Sequence, residues 1–272
     1  MKVISYIVAC CLSGAACAQT VVSPLPVTAS YHAVKVSVTD DETLVPTGRT
    51  LAGREGTAFS LYKRKNGPNN YTLFFLTAAH VIVGVDEIES GSDPKKFNRV
   101  LTLHFDNDTR WILPLNDTRI NIAICSQWRS RFNDVAIFSI DNISSQLAQR
   151  FSESVMNTCD YGTSEPQAIS IMGYRQGQYE RVSFSGSTET TILKPYRKII
   201  SFQQGPSPGV SGAPVMNTCN NQVVGIYAGE ISEIPGMFYY VDFTSLARTE
   251  FIERFIDHGP YRLRVVNANS CN

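Results

Sequence analysis

Apolar and polar positions alternate with period two over most of this chain, the pattern of strands with one buried face. Ala33-Val34-Lys35-Val36-Ser37-Val38 is the clearest case. Apolar or aromatic runs at 56–62 and 71–76 flank Lys65-Asn66-Gly67-Pro68-Asn69-Asn70, whose turn-forming residues predict a hairpin. Further runs at 99–105, 110–114, 120–125 and 134–140 are separated by turns such as Asn107-Asp108. Six or seven strands therefore precede residue 145, enough for one barrel. A second set follows at 167–173, 180–187, 189–193, 197–203, 214–217, 222–228 and 237–242.

Two segments depart from this pattern. Residues 144–155 read as a short helical patch, and Thr158-Cys159-Asp160-Tyr161-Gly162 as part of a linker. Near the end, Leu246, Phe251, Ile252, Phe255 and Ile256 recur at spacings near four, with Asp242 or Thr244 as cap and Gly259-Pro260 as stop. The expected architecture is all-β: two barrels and a C-terminal α-helix. The boundaries are an N-terminal barrel over 31–145, a linker over 146–165, a C-terminal barrel over 166–242, a helix over 243–258 and a tail over 259–272. No internal repeat suggests a solenoid.

The amino terminus adds a compartment. Met1-Lys2, an apolar stretch to about Leu12 and the small residues Ala16-Cys17-Ala18 predict a secretory signal over 1–18, too short to span a membrane. Ile7-Val8-Ala9-Cys10 also resembles a lipoprotein cleavage box, but cutting there would leave almost no hydrophobic signal. Residues 19–30, rich in Val, Pro and Ser, form a leader. The full chain of 272 residues carries 24 basic and 24 acidic side chains, and the signal removes only Lys2 from that balance. So neutral a chain has no electrostatic footprint for nucleic acid or an anionic membrane surface. Of 7 cysteines, Cys10, Cys11 and Cys17 leave with the signal. Cys125, Cys159, Cys219 and Cys271 would enter an oxidising compartment, where they could form two disulfides with any of three connectivities. No C-x-x-C pair or histidine cluster points to a metal.

Three segments carry the chemistry. Leu76-Thr77-Ala78-Ala79-His80 ends an apolar run on a base whose pKa lies near neutrality. Asn133-Asp134-Val135-Ala136-Ile137 opens a strand on a carboxylate able to orient that base; Asp106 and Asp141 are its nearby rivals. Pro208-Gly209-Val210-Ser211-Gly212-Ala213-Pro214 sets a serine among glycines, in a turn whose N–H groups are free to face a substrate. His32, His104 and His258 read as structural or surface residues.

In that order, these segments resemble the His, Asp and Ser signatures of chymotrypsin-like (trypsin-fold) serine peptidases, over roughly residues 50–257. Gly56-Thr57-Ala58-Phe59 resembles the strand before the histidine in bacterial members. Val224-Gly225-Ile226-Tyr227 and Pro235-Gly236-Met237-Phe238-Tyr239 resemble the strands walling the substrate pocket. The resemblance implies two six-stranded antiparallel β-barrels with a cleft between them. It also implies catalysis without cofactor or metal: Ser211 as nucleophile, His80 as general base, Asp134 as orienting acid, and the N–H groups of Gly209 and Ser211 as the oxyanion hole. The specificity pocket would have its base at Gly205 and walls at Ala228, Gly229, Glu230 and Gly236, without an acid at the base. Glu230 would then either attract a cation or stand as a solvated charge, and Tyr227 would line the pocket or belong to the core. A Cys159–Cys219 pair is permitted by the family's geometry, leaving Cys125 for Cys271.

One departure is informative. Val210 stands where the zymogen-activated branch carries an aspartate, and no Ile-Val-Gly-Gly-like start precedes Gly56, so the resemblance tilts to bacterial secreted members. Ala213 in place of glycine is a minor change. The expectation is an exported, monomeric serine endopeptidase, periplasmic or extracellular, acting on protein or peptide substrates, with no nucleic-acid partner and no membrane segment in the mature chain. The alternatives are a catalytically silent binding or adhesion protein on the same fold, or an esterase using the same residues.

Overall fold

The computed structural model describes residues 33–40, 53–83, 99–105, 110–124, 134–154, 156–157, 168–178, 181–194, 197–202, 205–218, 221–231, 236–243, 252, 255–256 and 265–266. The expected signal and leader, Cys125, Cys159, Cys219, Cys271, His32, His258, Asp106 and most of the expected helix lie outside them. Of that helix, residues 252, 255 and 256 are described and are helical; Ile252 and Ile256 are buried, and the Phe255 ring meets Phe74 edge-on. Among the described residues no helix is long and apolar enough to cross a membrane.

In the first half, β1 (Ala33–Asp40) alternates as its sequence does, sinking Val34, Val36 and Val38 into the core. It pairs on one side with β2 (Arg54–Gly67) and on the other with β4 (Arg99–His104). The expected hairpin joins β2 to β3 (Asn70–Thr77). With β5 (Arg110–Pro114), β6 (Ile120–Ile124) and β7 (Ala136–Ile143), the seven strands run in the order β5-β4-β1-β2-β3-β7-β6. Among the described residues β5 does not pair with β6, so this sheet curls as an open half-barrel. Aromatic rings pack its buried core. Phe75 stacks on Phe138 with centroids 5.1 Å apart, and Phe151 meets Phe75 edge-on at 5.5 Å.

The second half contains β8 (Met156–Asn157), β9 (Ala168–Tyr174), β10 (Arg181–Lys194), β11 (Arg197–Phe202), β12 (Pro214–Asn217), β13 (Val223–Glu230), β14 (Phe238–Asp242) and β15 (Val265–Val266). Strands β12-β9-β10-β11-β14-β13 follow one another, and β12 pairs again with β13, closing a six-strand barrel. The runs expected at 180–187 and 189–193 are one strand, β10, whose pairing with β11 shifts register after Thr188. A bulge absorbs the break in alternation that had divided them in the sequence. After a first single helical turn, α1 (Ala79–Ile82), the helical patch shrinks to one turn, α2 (Ser145–Ala148), capped by the Ser144 hydroxyl accepting the Leu147 N–H.

Polar groups are buried around β1. Lys35 is only 1% exposed and pairs with Glu55 at 3.1 Å. Opposite Lys35 in the β1–β4 register, His104 contacts the Ser37 hydroxyl through Nε2 at 2.9 Å. Burial, then the Lys35 ammonium and more weakly Arg110, pull this imidazole from 6.5 to about 4, against an opposing pull from Glu55. The unfolded chain takes up a proton at His104 below about 6.5, whereas the folded chain resists it down to about 4. Stability from this group is therefore lost as pH falls through that window, by about 3 kcal/mol in full. Urea unfolding across it should show the decline, and His104→Gln should flatten it; an equally steep decline in the variant contradicts the assignment.

Candidate active site

His80 is delivered by the end of β3. The strand stops at Thr77, and one helical turn, α1 (Ala79–Ile82), follows after an extended Ala78. Ala79, Val81 and Ile82 are buried and anchor the turn, leaving the His80 side chain 34% exposed. Strand β7 runs antiparallel to β3 with Thr77 opposite Ala136, and the same register carried two residues further brings Asp134 beside Ala79 and His80. Sequence separation is thus converted into contact by strand pairing.

Asp134 is buried and grips His80 twice. Its Oδ2 lies 2.6 Å from His80 Nδ1, and its Oδ1 accepts the His80 backbone N–H at 2.9 Å. A carboxylate only accepts, so Nδ1 carries the proton and the lone pair of the neutral ring is left on Nε2. Burial pulls the imidazole pKa down, but the charge and hydrogen bond of Asp134 outweigh it, with Arg54 opposing, and the balance is upward from 6.5. The rival Asp141 is held elsewhere, by the Thr72 hydroxyl and the Asn121 amide.

Ser211 sits in a turn before β12 that only glycine permits on both sides. Gly209 and Gly212 adopt φ of 94° and 89°. A Cβ on Gly212 would overlap the Thr57 carbonyl, the Thr77 hydroxyl and the Ala78 N–H, which shows how closely the serine turn is pressed on the segment delivering His80. Gly56 makes the other close approach, between the Val81 side chain and the Ser211 carbonyl. The turn is also tied to its own barrel: Gly212 N–H donates to Tyr227 O at 2.8 Å and Tyr227 N–H to Ala213 O at 2.9 Å. Val210 is buried in the second core. The Ser211 hydroxyl donates to Ala228 O at 3.4 Å rather than to His80. Among the described residues, no acceptor takes the N–H of Gly209 or Ser211.

The expected pocket residues lie together, with two refinements. Gly205 is packed against the Phe238 ring, which leaves no room for a Cβ there. Phe238 pairs with Glu230 across β13–β14, so base and wall are adjacent. Where a Cβ would stand on Gly229 or Gly236 there is open space. The exposed Glu230 is not simply a solvated charge: its carboxylate accepts the Gly236 N–H and bridges the two walls. Tyr227 is buried core, its phenol held un-ionised first by that burial and then by Glu230. A cavity of about 460 Å³ lies along β10 and β11, lined by Ser185, Gly186, Ser187, Ser201 and Phe202. Phe202 meets Phe238 edge-on at 5.4 Å, and that ring pair links the cavity lining to the expected pocket base.

Thr57 had no role assigned from the sequence. It is fully buried on β2 and is bonded to both halves: its N–H donates to Ser211 O at 2.8 Å, and its carbonyl accepts the Thr77 hydroxyl at 2.8 Å. A hydroxyl between Gly56 and an aromatic strand was the available signal.

The model of the trypsin-like peptidase domain matches residues 56–226. No curated protein matches the chain. Among solved structures it is similar to a thermostable serine protease from an extremophilic microorganism, with 14% identity, TM-score 0.53, and 79% of this chain and 92% of that chain covered. It is similar to the human heparin binding protein with 11% identity, TM-score 0.53, and 84% and 93% covered. Identities this low carry the fold alone, and one of these relatives is named for hydrolysis, the other for binding. The family match extends over more than half of the sequence and takes in His80, Asp134 and Ser211. The chain belongs to the trypsin-like peptidases.

Proposed function

We propose that the protein is an exported serine endopeptidase that cleaves peptide bonds through an acyl-enzyme on Ser211. One observation carries the reading: the buried Asp134 carboxylate fixes His80 through both ring and backbone, so its basic nitrogen is Nε2. A serine hydroxyl is a poor nucleophile at neutral pH and needs such a base. Attack requires the Ser211 hydroxyl to exchange the Ala228 carbonyl for Nε2 as acceptor. The present bond of 3.4 Å is weak enough to give up, and catalytic hydrogen bonds often tighten only with substrate bound.

The serine oxygen then adds to the scissile carbonyl carbon while His80 takes its proton. The resulting oxyanion is received by the N–H groups of Gly209 and Ser211. Collapse expels the amine, which leaves with the proton from His80, and water repeats the sequence to free the acid and Ser211. Gly205, Ala228, Gly229 and Gly236 carry no charge, and Glu230 is engaged with Gly236. The reading therefore predicts an uncharged or apolar side chain before the cleaved bond. Export rests on the signal over residues 1–18.

A peptide library incubated with the protein should be cut after uncharged residues by the wild type and left intact by Ser211→Ala. Equal cleavage by both contradicts the reading. Because the Ser211 hydroxyl is turned to Ala228, the binding-protein alternative stays a second reading; peptides retained by the wild type but never cut would establish it.

A further inference from the structure

Four consecutive carbonyls of the serine loop are held by donors from within the protein. Pro208 O accepts Gln176 N–H at 2.8 Å, Gly209 O the Thr57 hydroxyl at 3.3 Å, Val210 O Ala213 N–H at 3.0 Å, and Ser211 O Thr57 N–H at 2.8 Å. In a trans peptide the C=O and the following N–H point in opposite directions. Anchoring the carbonyls of Pro208 and Val210 therefore aims the N–H groups of Gly209 and Ser211 the other way.

Three of these four donors are backbone groups. The Thr57 hydroxyl is the one side chain, and it holds the peptide between the two that present those N–H groups. Its own oxygen accepts Tyr174 N–H at 3.0 Å, so its proton is directed to Gly209 O. The contact matters because Gly209, lacking a Cβ, has the backbone freedom to let this peptide rotate.

Glu55 precedes Thr57 by two residues and so shares its face of β2. Its carboxylate accepts Gly177 N–H at 2.6 Å, in the turn whose Gln176 N–H holds Pro208. The buried Lys35 neutralises Glu55 from β1. One strand face of the first half thus reaches the serine loop of the second half by two routes.

We propose that Thr57 is a positioning residue. Its hydroxyl, backed by Glu55, sets the orientation in which the Gly209 and Ser211 N–H groups receive the oxyanion. The inference rests on the peptidase reading, so wild type and Ser211→Ala are measured first. A wild type as inert as Ser211→Ala defeats that reading and this inference with it.

In an active wild type, three variants are compared by steady-state kinetics on a peptide and by inhibition with a peptide boronate, whose adduct mimics the tetrahedral intermediate. Thr57→Val keeps the shape and removes the hydroxyl. It should lower kcat roughly 10–100-fold, part of the loss expected for removing an oxyanion donor outright, with KM within about 3-fold. Boronate affinity should fall in step with kcat. Thr57→Ser restores the hydroxyl and should return kcat to within about 3-fold of wild type. The pair Lys35→Met with Glu55→Leu removes the Gly177 anchor without stranding a buried charge and should lower kcat roughly 3–10-fold. Wild-type kcat in Thr57→Val, or no rescue by Thr57→Ser, overturns the proposal. Should Thr57→Val not fold, the Lys35/Glu55 pair decides: an unchanged kcat overturns it.

Discussion

Ser211→Ala is expected to lower kcat on a peptide substrate by about five to six orders of magnitude. The substitution removes one oxygen whose visible bond is a 3.4 Å contact to Ala228 O. What shapes the turn lies outside the Ser211 side chain: the left-handed Gly209 and Gly212, the Thr57 N–H on Ser211 O and hydroxyl on Gly209 O, and the Gly212–Tyr227 pairing. Folding stability should therefore change by only about 1 kcal/mol or less. The residual rate would come from the N–H groups of Gly209 and Ser211 and from substrate binding, which survive without the nucleophile. Single-turnover kinetics beside a thermal melt check both halves of this expectation. A kcat within tenfold of wild type would mean that another group attacks.

Asp134→Asn should lower kcat by about 10⁴-fold, for a different reason. The carboxylate accepts from both His80 Nδ1 and the His80 backbone N–H. An amide has one acceptor oxygen and one donor nitrogen, so it cannot serve both. If the oxygen stays on the backbone N–H, its NH₂ faces Nδ1 and favours the tautomer whose basic nitrogen points away from the substrate. Burial leaves little water to repair the mismatch, since Asp134 is 7% exposed.

The same substitution should move the pH profile. In the wild type, burial lowers the His80 pKa, but Asp134 more than compensates and lifts it above 6.5. General-base catalysis needs the neutral ring, so kcat/KM should be lost as pH falls through a value above 6.5. Without the carboxylate charge, burial and Arg54 are left to pull downward, and the limb should shift to lower pH. A limb that stays in place would remove Asp134 as the group acting on His80.

Much of the fold was legible because strands with one buried face alternate in sequence. Val34, Val36 and Val38 gave β1, and the Gly67-Pro68 turn gave the β2–β3 hairpin. Strand β10 was divided in two because a bulge interrupts alternation while the backbone continues. Strands β8 and β15 escaped because two-residue parallel additions have no period to read.

At the site, His80, Asp134 and Ser211 were legible as residue types in short motifs. The β3–β7 register that joins the first two appears only in three dimensions. Thr57 was missed because its importance lies in backbone partners more than a hundred positions away in the chain, at Tyr174, Gly209 and Ser211. The role of Glu230 was likewise undecidable, since a carboxylate that bridges two walls and one facing water look alike in sequence.

The most direct test of the site is covalent labelling. Native protein treated with a peptidyl phosphonate should gain one adduct by intact mass, mapped by fragmentation to Ser211. The labelling rate should rise with pH through a midpoint above 6.5 and collapse in His80→Ala. No adduct on the folded protein, or one that forms equally fast without His80, would contradict the assignment of Ser211 as a nucleophile activated by that imidazole.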